Sequence, residues 1–327
     1  MPALITIINK FSRTRRDIGW KLGLNQSYVK QARGARILIY HGVCVDDPFR
    51  FNSLFVNRRA FEDQLKLYKQ YFNIVSLDDF YHQRFSKDRY NICLTFDDGF
   101  ANNYRHVLPL LELYQVHASF FITAIRDAGF DILWNDCLSI AGKYGPRKFI
   151  FKGEEFKKNR YRKYVSASSG RQLGNILLST GFEDKVEMMD LLGSFNKNAD
   201  ADYWLQMTVE QVKALSASKW VTIGNHSYYH NDLGKMPVSL VGEDISRSKQ
   251  FLENVTGKEV KALAFPYGSY TREAAEEAKK AGFTQLLATE FLFPEDTNDA
   301  TFRERLTINP FISNTNQLHA NITGHYK

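Results

Sequence analysis

Cysteine is scarce in this chain of 327 residues. Cys44, Cys93 and Cys137 are odd in number and no two are close together, which excludes a disulfide framework and a thiolate zinc site. Three isolated thiols suit a reducing compartment. Proline and glycine are modest, 8 and 20 residues, so collagen-like and largely disordered chains are excluded. No apolar run approaches the ~18 residues of a membrane-spanning helix. A secretory leader is not recognisable either: the charges follow the first apolar stretch instead of preceding it, and no small-residue cleavage site comes after it. There is no internal repeat or low-complexity segment. These absences predict a cytoplasmic protein.

What is present is apolar mass. Hydrophobic residues make up 44% and aromatic residues 14%, ample for a large core, and the length allows one barrel or two domains. Lysine and arginine outnumber the acids 43 to 36, a net +7. Part of that excess is Arg13, Arg15, Arg16, Lys21, Lys30, Arg33 and Arg36. No nucleic-acid recognition motif accompanies the charge, so nucleic acid is not an expected partner. Leu4, Ile8, Phe11 and Ile18, interleaved with Lys10, Arg13 and Arg16, fit a basic amphipathic helix. Such a helix can pack on the domain or lie on an anionic membrane surface. Residues 1–35 are therefore expected to form a separate N-terminal segment.

From residue 36 onward, short apolar runs alternate with helical patterns. Runs at 36–43, 72–76, 92–96, 118–123, 220–224, 263–265, 284–288 and 305–308 read as strands. Phe61, Leu65 and Tyr68 follow a 3.6-residue period in 59–71. Ser76 and Thr208 are N-cap candidates, with Gln211 at the capping-box position. Alternation of this kind predicts an α/β fold with mainly parallel strands. Residues 127–207 break the rhythm and are expected to be an insertion into a catalytic domain spanning 36–327.

Two strand ends carry the chemistry. The run Ile92-Cys93-Leu94-Thr95-Phe96 ends in Asp97-Asp98-Gly99, and Gly99 allows a sharp turn. α/β folds build sites where strands end. Two adjacent carboxylates there repel, and a bound cation would let one be a ligand and the other a base. A solvated Asp-Gly turn is the plainer reading of the stretch alone. The run 220–224 ends in Asn225-His226-Ser227-Tyr228-Tyr229-His230, and two imidazoles four residues apart share a face on one helical turn. A third strand runs into Pro266-Tyr267-Gly268, either an ordinary turn or a fixed backbone aimed at a substrate oxygen.

Thr95-Phe96-Asp97-Asp98-Gly99, His226-Ser227-Tyr228-Tyr229-His230 and Phe265-Pro266-Tyr267-Gly268 resemble, in that order, the motifs of the polysaccharide deacetylases of carbohydrate esterase family four. The resemblance implies a distorted (β/α) barrel with fewer strands than a TIM barrel. It implies a metal-dependent hydrolase that removes acetyl groups from glycans. Asp97 matches the catalytic base. Asp98, His226 and His230 match the ligands of one divalent metal ion, usually zinc. Pro266, Tyr267 and Gly268 match a substrate-binding turn in which the Tyr267 N–H assists the oxyanion. Two features depart from the pattern. Ala264 stands where the family often has an arginine, for which Arg303 or Arg305 is a replacement candidate. The late Leu-x-His motif is missing. However, Tyr40-His41-Gly42-Val43 resembles the first-strand segment of the circularly permuted poly-N-acetylglucosamine deacetylase branch, which makes His41 the general-acid candidate. A positioned acid suits an amide leaving group, so N-deacetylation of a glycan or lipid-linked sugar precursor is the expectation. An O-acetyl esterase, a non-sugar amidase and a non-catalytic glycan-binding protein stay open.

Overall fold

The structure is a computed structural model in which residues 2–326 are described, with side chains from Lys10 onward. The strands are β1 (Ala35–Tyr40), β2 (Val43–Cys44), β3 (Val56–Asn57), β4 (Phe72–Ile74), β5 (Tyr90–Phe96), β6 (Ala118–Ile122), β7 (Lys148–Phe151), β8 (Glu154–Lys158), β9 (Tyr164–Ser166), β10 (Val221–Asn225), β11 (Ala262–Ala264), β12 (Gln285–Ala288) and β13 (Phe302–Thr307). The helices are α1 (Pro2–Lys21), α2 (Gln26–Gln31), α3 (Arg58–Tyr71), α4 (Leu77–Tyr81), α5 (Leu108–Tyr114), α6 (Trp134–Tyr144), α7 (Leu173–Leu177), α8 (Phe182–Leu192), α9 (Val209–Ala217), α10 (Val238–Thr256), α11 (Arg272–Lys280) and α12 (Asn314–Thr323).

A parallel ring runs β1-β13-β12-β11-β10-β6-β5 and closes because β5 also pairs with β1, from Ala35↔Asn91 to Tyr40↔Phe96. It is a closed seven-stranded parallel (β/α) barrel. β4 pairs with the first half of β5, beside β6 on the second half, and stays outside the ring. Every residue of β5 is buried, as expected for a strand with the barrel interior on one face and helices on the other. Closure makes β1 the neighbour of both β5 and β13, so three strands distant in sequence end at one rim.

The caps read from the sequence form. Ser76 Oγ accepts from Asp79 N–H at the start of α4. Thr208 and Gln211 exchange both bonds of a capping box on α9, which stabilises the helix by about 1 kcal/mol.

Several elements differ from the sequence reading. The 19-residue α10 and the terminal α12 were unassigned by pattern. The stretch after Phe100 begins with a π turn, Asn103–Val107, before α5. The charged part of the insertion is an antiparallel sheet, β7-β8-β9, which shields Phe151, Phe156 and Tyr164. Those strands join α6 and α8 in a second hydrophobic cluster. Residues 49–55 reach into the core as well as the surface. Phe55 is buried beneath the chain, and a Cβ at Gly42 would meet its ring at 2.3 Å, so only glycine fits there. The N-terminal segment is a helix in contact with α12: Arg13 Nη2 donates to Tyr326 O (2.6 Å), and Asn316 Nδ2 donates to Asp17 Oδ1 (2.9 Å). Leu4 and Ile8, half of the proposed apolar stripe, lie outside the described side chains.

Candidate active site

The two carboxylates at the end of β5 part immediately. Asp98 has φ +77° and Gly99 φ +84°, so the backbone reverses and the adjacent side chains face different partners. Asp97 meets Arg305 of β13 in a two-pronged ion pair, Nη1–Oδ1 2.7 Å and Nη2–Oδ2 2.8 Å, with both residues buried. Burial opposes the Asp97 charge, but Arg305, His226 and His41 outweigh it and hold the carboxyl below its ordinary value. Arg305 also donates to Thr95 Oγ1 (3.2 Å). Of the two arginines suggested by sequence, Arg305 is therefore the one at the site. Arg303 lies over the Tyr81 ring instead.

Asp98 Oδ1 sits 3.4 Å from His226 Nε2 and 3.1 Å from His230 Nε2. One ligand atom from each of these buried residues falls within 4.8 Å of the others. The histidines do not share a helical turn. They lie in the loop after β10, with Ser227 at φ +65° and His230 at φ +55°. Side chains of α10 explain why: Asp244 Oδ1 accepts from Tyr228 N–H (2.7 Å), and Ser248 Oγ donates to Ser227 O (3.0 Å). Asn225 Oδ1 takes Ser227 N–H at 2.7 Å. Backbone groups that a helix would satisfy internally are satisfied from outside.

The tautomers suit metal binding. A carbonyl can only accept, so the 2.7 Å contact of His226 Nδ1 with Ala264 O places a proton on Nδ1 and makes Nε2, which faces Asp98, the nitrogen available to a metal. His230 Nδ1 is 3.1 Å from the Tyr267 hydroxyl. Tyr267 is 42% exposed as a residue, but its hydroxyl end is desolvated beside Asp98, which raises the phenol well above its ordinary value and keeps it protonated. A metal held on His230 Nε2 would put the ring proton on Nδ1, where the phenol oxygen can accept it. Carboxylate oxygen plus two imidazoles is a donor set for zinc or a similar divalent ion. Tyr267, at φ +60°, thus brings a side chain to a metal-ligand candidate, a contact the motif reading did not contain. Four of the nine described non-glycine residues with positive φ, Asp98, Ser227, His230 and Tyr267, are at this site; strain concentrated there is a feature of functional geometry.

A cavity of about 460 Å³ joins these groups, and its lining includes His41, Asp97, Asp98, His226, His230, Tyr267, Gly268 and Arg305. That volume suits a small-molecule or single-residue polymer subsite. His41 follows the last residue of β1, and its Nδ1 is buried without a partner. Tyr40 points away, donating to Gln64 Oε1 (2.7 Å), as the alternation of a strand requires. Pro266 positions the turn but is absent from the cavity lining. The insertion supplies Asn135, Asp136, Ser139 and Lys163 to one wall, none of which carried a motif signal. Burial and the neighbouring Asp98 charge push the Asp136 carboxyl well up.

The family model for polysaccharide deacetylase matches residues 86–132 and 195–286, the segments that flank the insertion and contain Asp97, Asp98, His226, His230, Pro266, Tyr267 and Gly268. In these two segments the chain is similar to the polysaccharide deacetylase family. The fold agrees with solved structures at low identity. A deacetylase of Streptococcus pyogenes in complex with acetate superposes with TM-score 0.58 at 17% identity, covering 88% of this chain and 97% of that one. IcaB from Ammonifex degensii gives 0.56 at 21%, covering 89% and 98%. A polysaccharide deacetylase from Bacillus cereus gives 0.55 at 18%, covering 88% and 68%. At these identities the likeness is one of fold. No curated protein matches the chain at a significant level.

Proposed function

We propose that this polysaccharide deacetylase domain removes N-acetyl groups from a glycan, with Asp98, His226 and His230 holding one divalent metal ion, zinc by donor chemistry. The observation that carries the reading is the separation of the two carboxylates. Asp98 is turned toward two imidazole Nε2 atoms, while Asp97 is held apart and ionised by Arg305. A binding protein has no use for that division. The bound ion would supply Lewis acidity and lower the pKa of a water.

The protein's own groups account for the remaining proton movements. Asp97 accepts a proton from the attacking water. Arg305 keeps its carboxylate oriented and charged until then. The Tyr267 N–H, in the turn beside Gly268, donates to the developing oxyanion. His41, facing the same cavity from β1, gives a proton to the sugar nitrogen as the carbon–nitrogen bond breaks; acetate and an amine are released. This role for a first-strand histidine supports kinship with the poly-N-acetylglucosamine deacetylase branch. A cytoplasmic location and action on a precursor, including a lipid-linked one, remain part of the same proposal.

The test is acetate release from paired N-acetylated and O-acetylated glycans, with and without chelator. Amide hydrolysis that chelator abolishes and zinc restores is the expected result. Ester cleavage with no amide cleavage would turn the reading to an O-acetyl esterase, and silence on both with retained glycan binding would turn it to a binding protein.

A further inference from the structure

The N-terminal segment of this chain is strongly basic. Residues 10–36 contain eight lysines and arginines and a single acid, a net +7, while residues 37–327 balance at 35 cations and 35 acids. Six of these cations and the acid lie on α1 and α2; Arg33 follows α2 and Arg36 lies in β1. The lone acid, Asp17, faces inward and accepts from Ser313 Oγ (2.6 Å) and Asn316 Nδ2 (2.9 Å). Lys10, Arg15, Lys21, Lys30 and Arg33 are exposed.

The same segment exposes large apolar side chains: Phe11 (71%), Ile18 (55%), Leu22 (68%), Leu24 (70%) and Tyr28 (46%). Phe11, Ile18 and Leu22 are spaced seven and four residues apart, and at 100° per residue they fall within about 40° of one another around the axis. Arg15 lies on the same stripe. Solvent normally meets polar side chains on such a face, and an apolar stripe flanked by cations is the composition of a surface that rests in a bilayer interface.

We propose that the α1–α2 hairpin docks this protein on a membrane rich in anionic lipid, with Phe11, Ile18, Leu22 and Leu24 entering the interface and Lys21, Lys30 and Arg33 meeting the headgroups. The occupant follows from charge complementarity: a segment with a net +7 that also exposes large apolar side chains suits an anionic lipid surface. A soluble polyanion would satisfy the cations but leave the leucines in water. The turn of the hairpin sits where the barrel strands begin: Trp20 packs edge-on against Tyr71, the residue before β4, and α2 ends shortly before β1. The catalytic cavity lies where the strands end, so docking leaves its mouth facing away from the lipid.

The experiment is co-sedimentation of the full chain with phosphatidylcholine vesicles containing 30 mol% phosphatidylglycerol, against pure phosphatidylcholine, at low and high salt. Wild type should bind the anionic vesicles in a salt-sensitive manner. A lipid-facing cation contributes about 1 kcal/mol, or roughly five-fold in partitioning, so Lys21→Gln/Lys30→Gln/Arg33→Gln should bind about 100-fold more weakly. Leu22→Ser/Leu24→Ser should also lose binding at least ten-fold while keeping its salt dependence. Both variants touch exposed side chains, so unchanged thermal unfolding and acetate release would verify folding. Equal vesicle binding by wild type and the triple variant overturns the proposal. Binding that depends on the cations but is indifferent to the leucines, with comparable affinity for heparin or DNA, overturns it in favour of a polyanion site.

Discussion

Replacing Arg305 with methionine tests the division of labour between the two carboxylates most directly. The residue is 4% exposed, and its side chain makes two bonds to Asp97, at 2.7 and 2.8 Å, plus one to Thr95 Oγ1. Methionine fills most of the volume but leaves the Asp97 carboxylate buried without its counter-ion. Removing one partner of a buried pair costs about 3–5 kcal/mol. The lower end applies here, because His226 and His41 still face the carboxylate and favour its charge. The sign of the pH dependence follows. In the wild type Asp97 titrates below its ordinary value, so its contribution to stability is present above about pH 4 and is lost as pH falls through the folded value. In Arg305→Met burial dominates and the folded pKa rises, so the deficit relative to wild type should be greatest at neutral pH and shrink as pH falls through that raised value. The double variant Arg305→Met/Asp97→Asn removes both charges and should recover at least about 2 kcal/mol of the summed single losses. Urea unfolding at pH 7 and pH 4 reads the energies. The pH profile of kcat/KM reads the chemistry, and its acidic limb should move up by at least about one pH unit, equivalent to about 1.4 kcal/mol. Metal content should be unchanged. A coupling energy below about 0.5 kcal/mol, or an acidic limb that stays in place, would refute the claim that Arg305 sets the ionisation of Asp97.

Other consequences can be checked separately. His41→Ala should keep the metal and slow amide hydrolysis by about 10²–10⁴-fold, with a much smaller effect on an activated ester; equal loss on both substrates would remove His41 from the general-acid role. Tyr267→Phe deletes the oxygen beside His230 Nδ1 and should weaken metal binding by about 10–100-fold, measured by competition with a chromogenic chelator, while leaving the backbone N–H in place. Asp98→Asn should weaken metal binding and Asp97→Asn should spare it while losing most turnover; the reverse pattern would exchange their roles. His319 is held down to about 4 by partial burial and by Arg16, whose guanidinium lies 3.3 Å from its Nδ1. The folded chain therefore takes up this proton at lower pH than the unfolded chain, so stability should fall as pH drops from 6.5 to 4. The loss should be about 1–2 kcal/mol after allowing for screening of a half-exposed ring, and His319→Gln should blunt it in thermal unfolding.

The barrel strands were legible in the sequence because each is an apolar run that ends in polar or glycine-rich residues, as a strand buried on both faces must. The residues Asp97, Asp98, His226 and His230 were legible for a related reason. Chemistry at strand ends needs specific side chains at fixed offsets from the strand, and local spacing preserves them. His41 was readable only through its likeness to a known segment. What brings it to Asp97, 56 positions later, is ring closure through the β1–β5 pairing.

The remainder was decided by contacts that no local pattern encodes. The spacing of His226 and His230 predicts a helical turn, yet Asn225, Asp244 and Ser248 supply bonds that make the loop conformation the better one. Helix α10, which provides two of those residues, is buried at Val241, Ile245, Ser248 and Leu252 and mixes small polar residues into its apolar stripe, which hides its period. The insertion reads as charge because its short antiparallel strands turn lysines and glutamates to water and shelter Phe151, Phe156 and Tyr164 on the other face. Arg305 is separated from Asp97 by 208 residues, and either of two nearby arginines could have met it by sequence alone. Composition and periodicity thus determined which segments become strands and which ends can carry chemistry. The pairing of charges across the barrel was settled only in three dimensions, because burial makes an unpaired charge costly and the register of neighbouring strands selects which side chain can reach it.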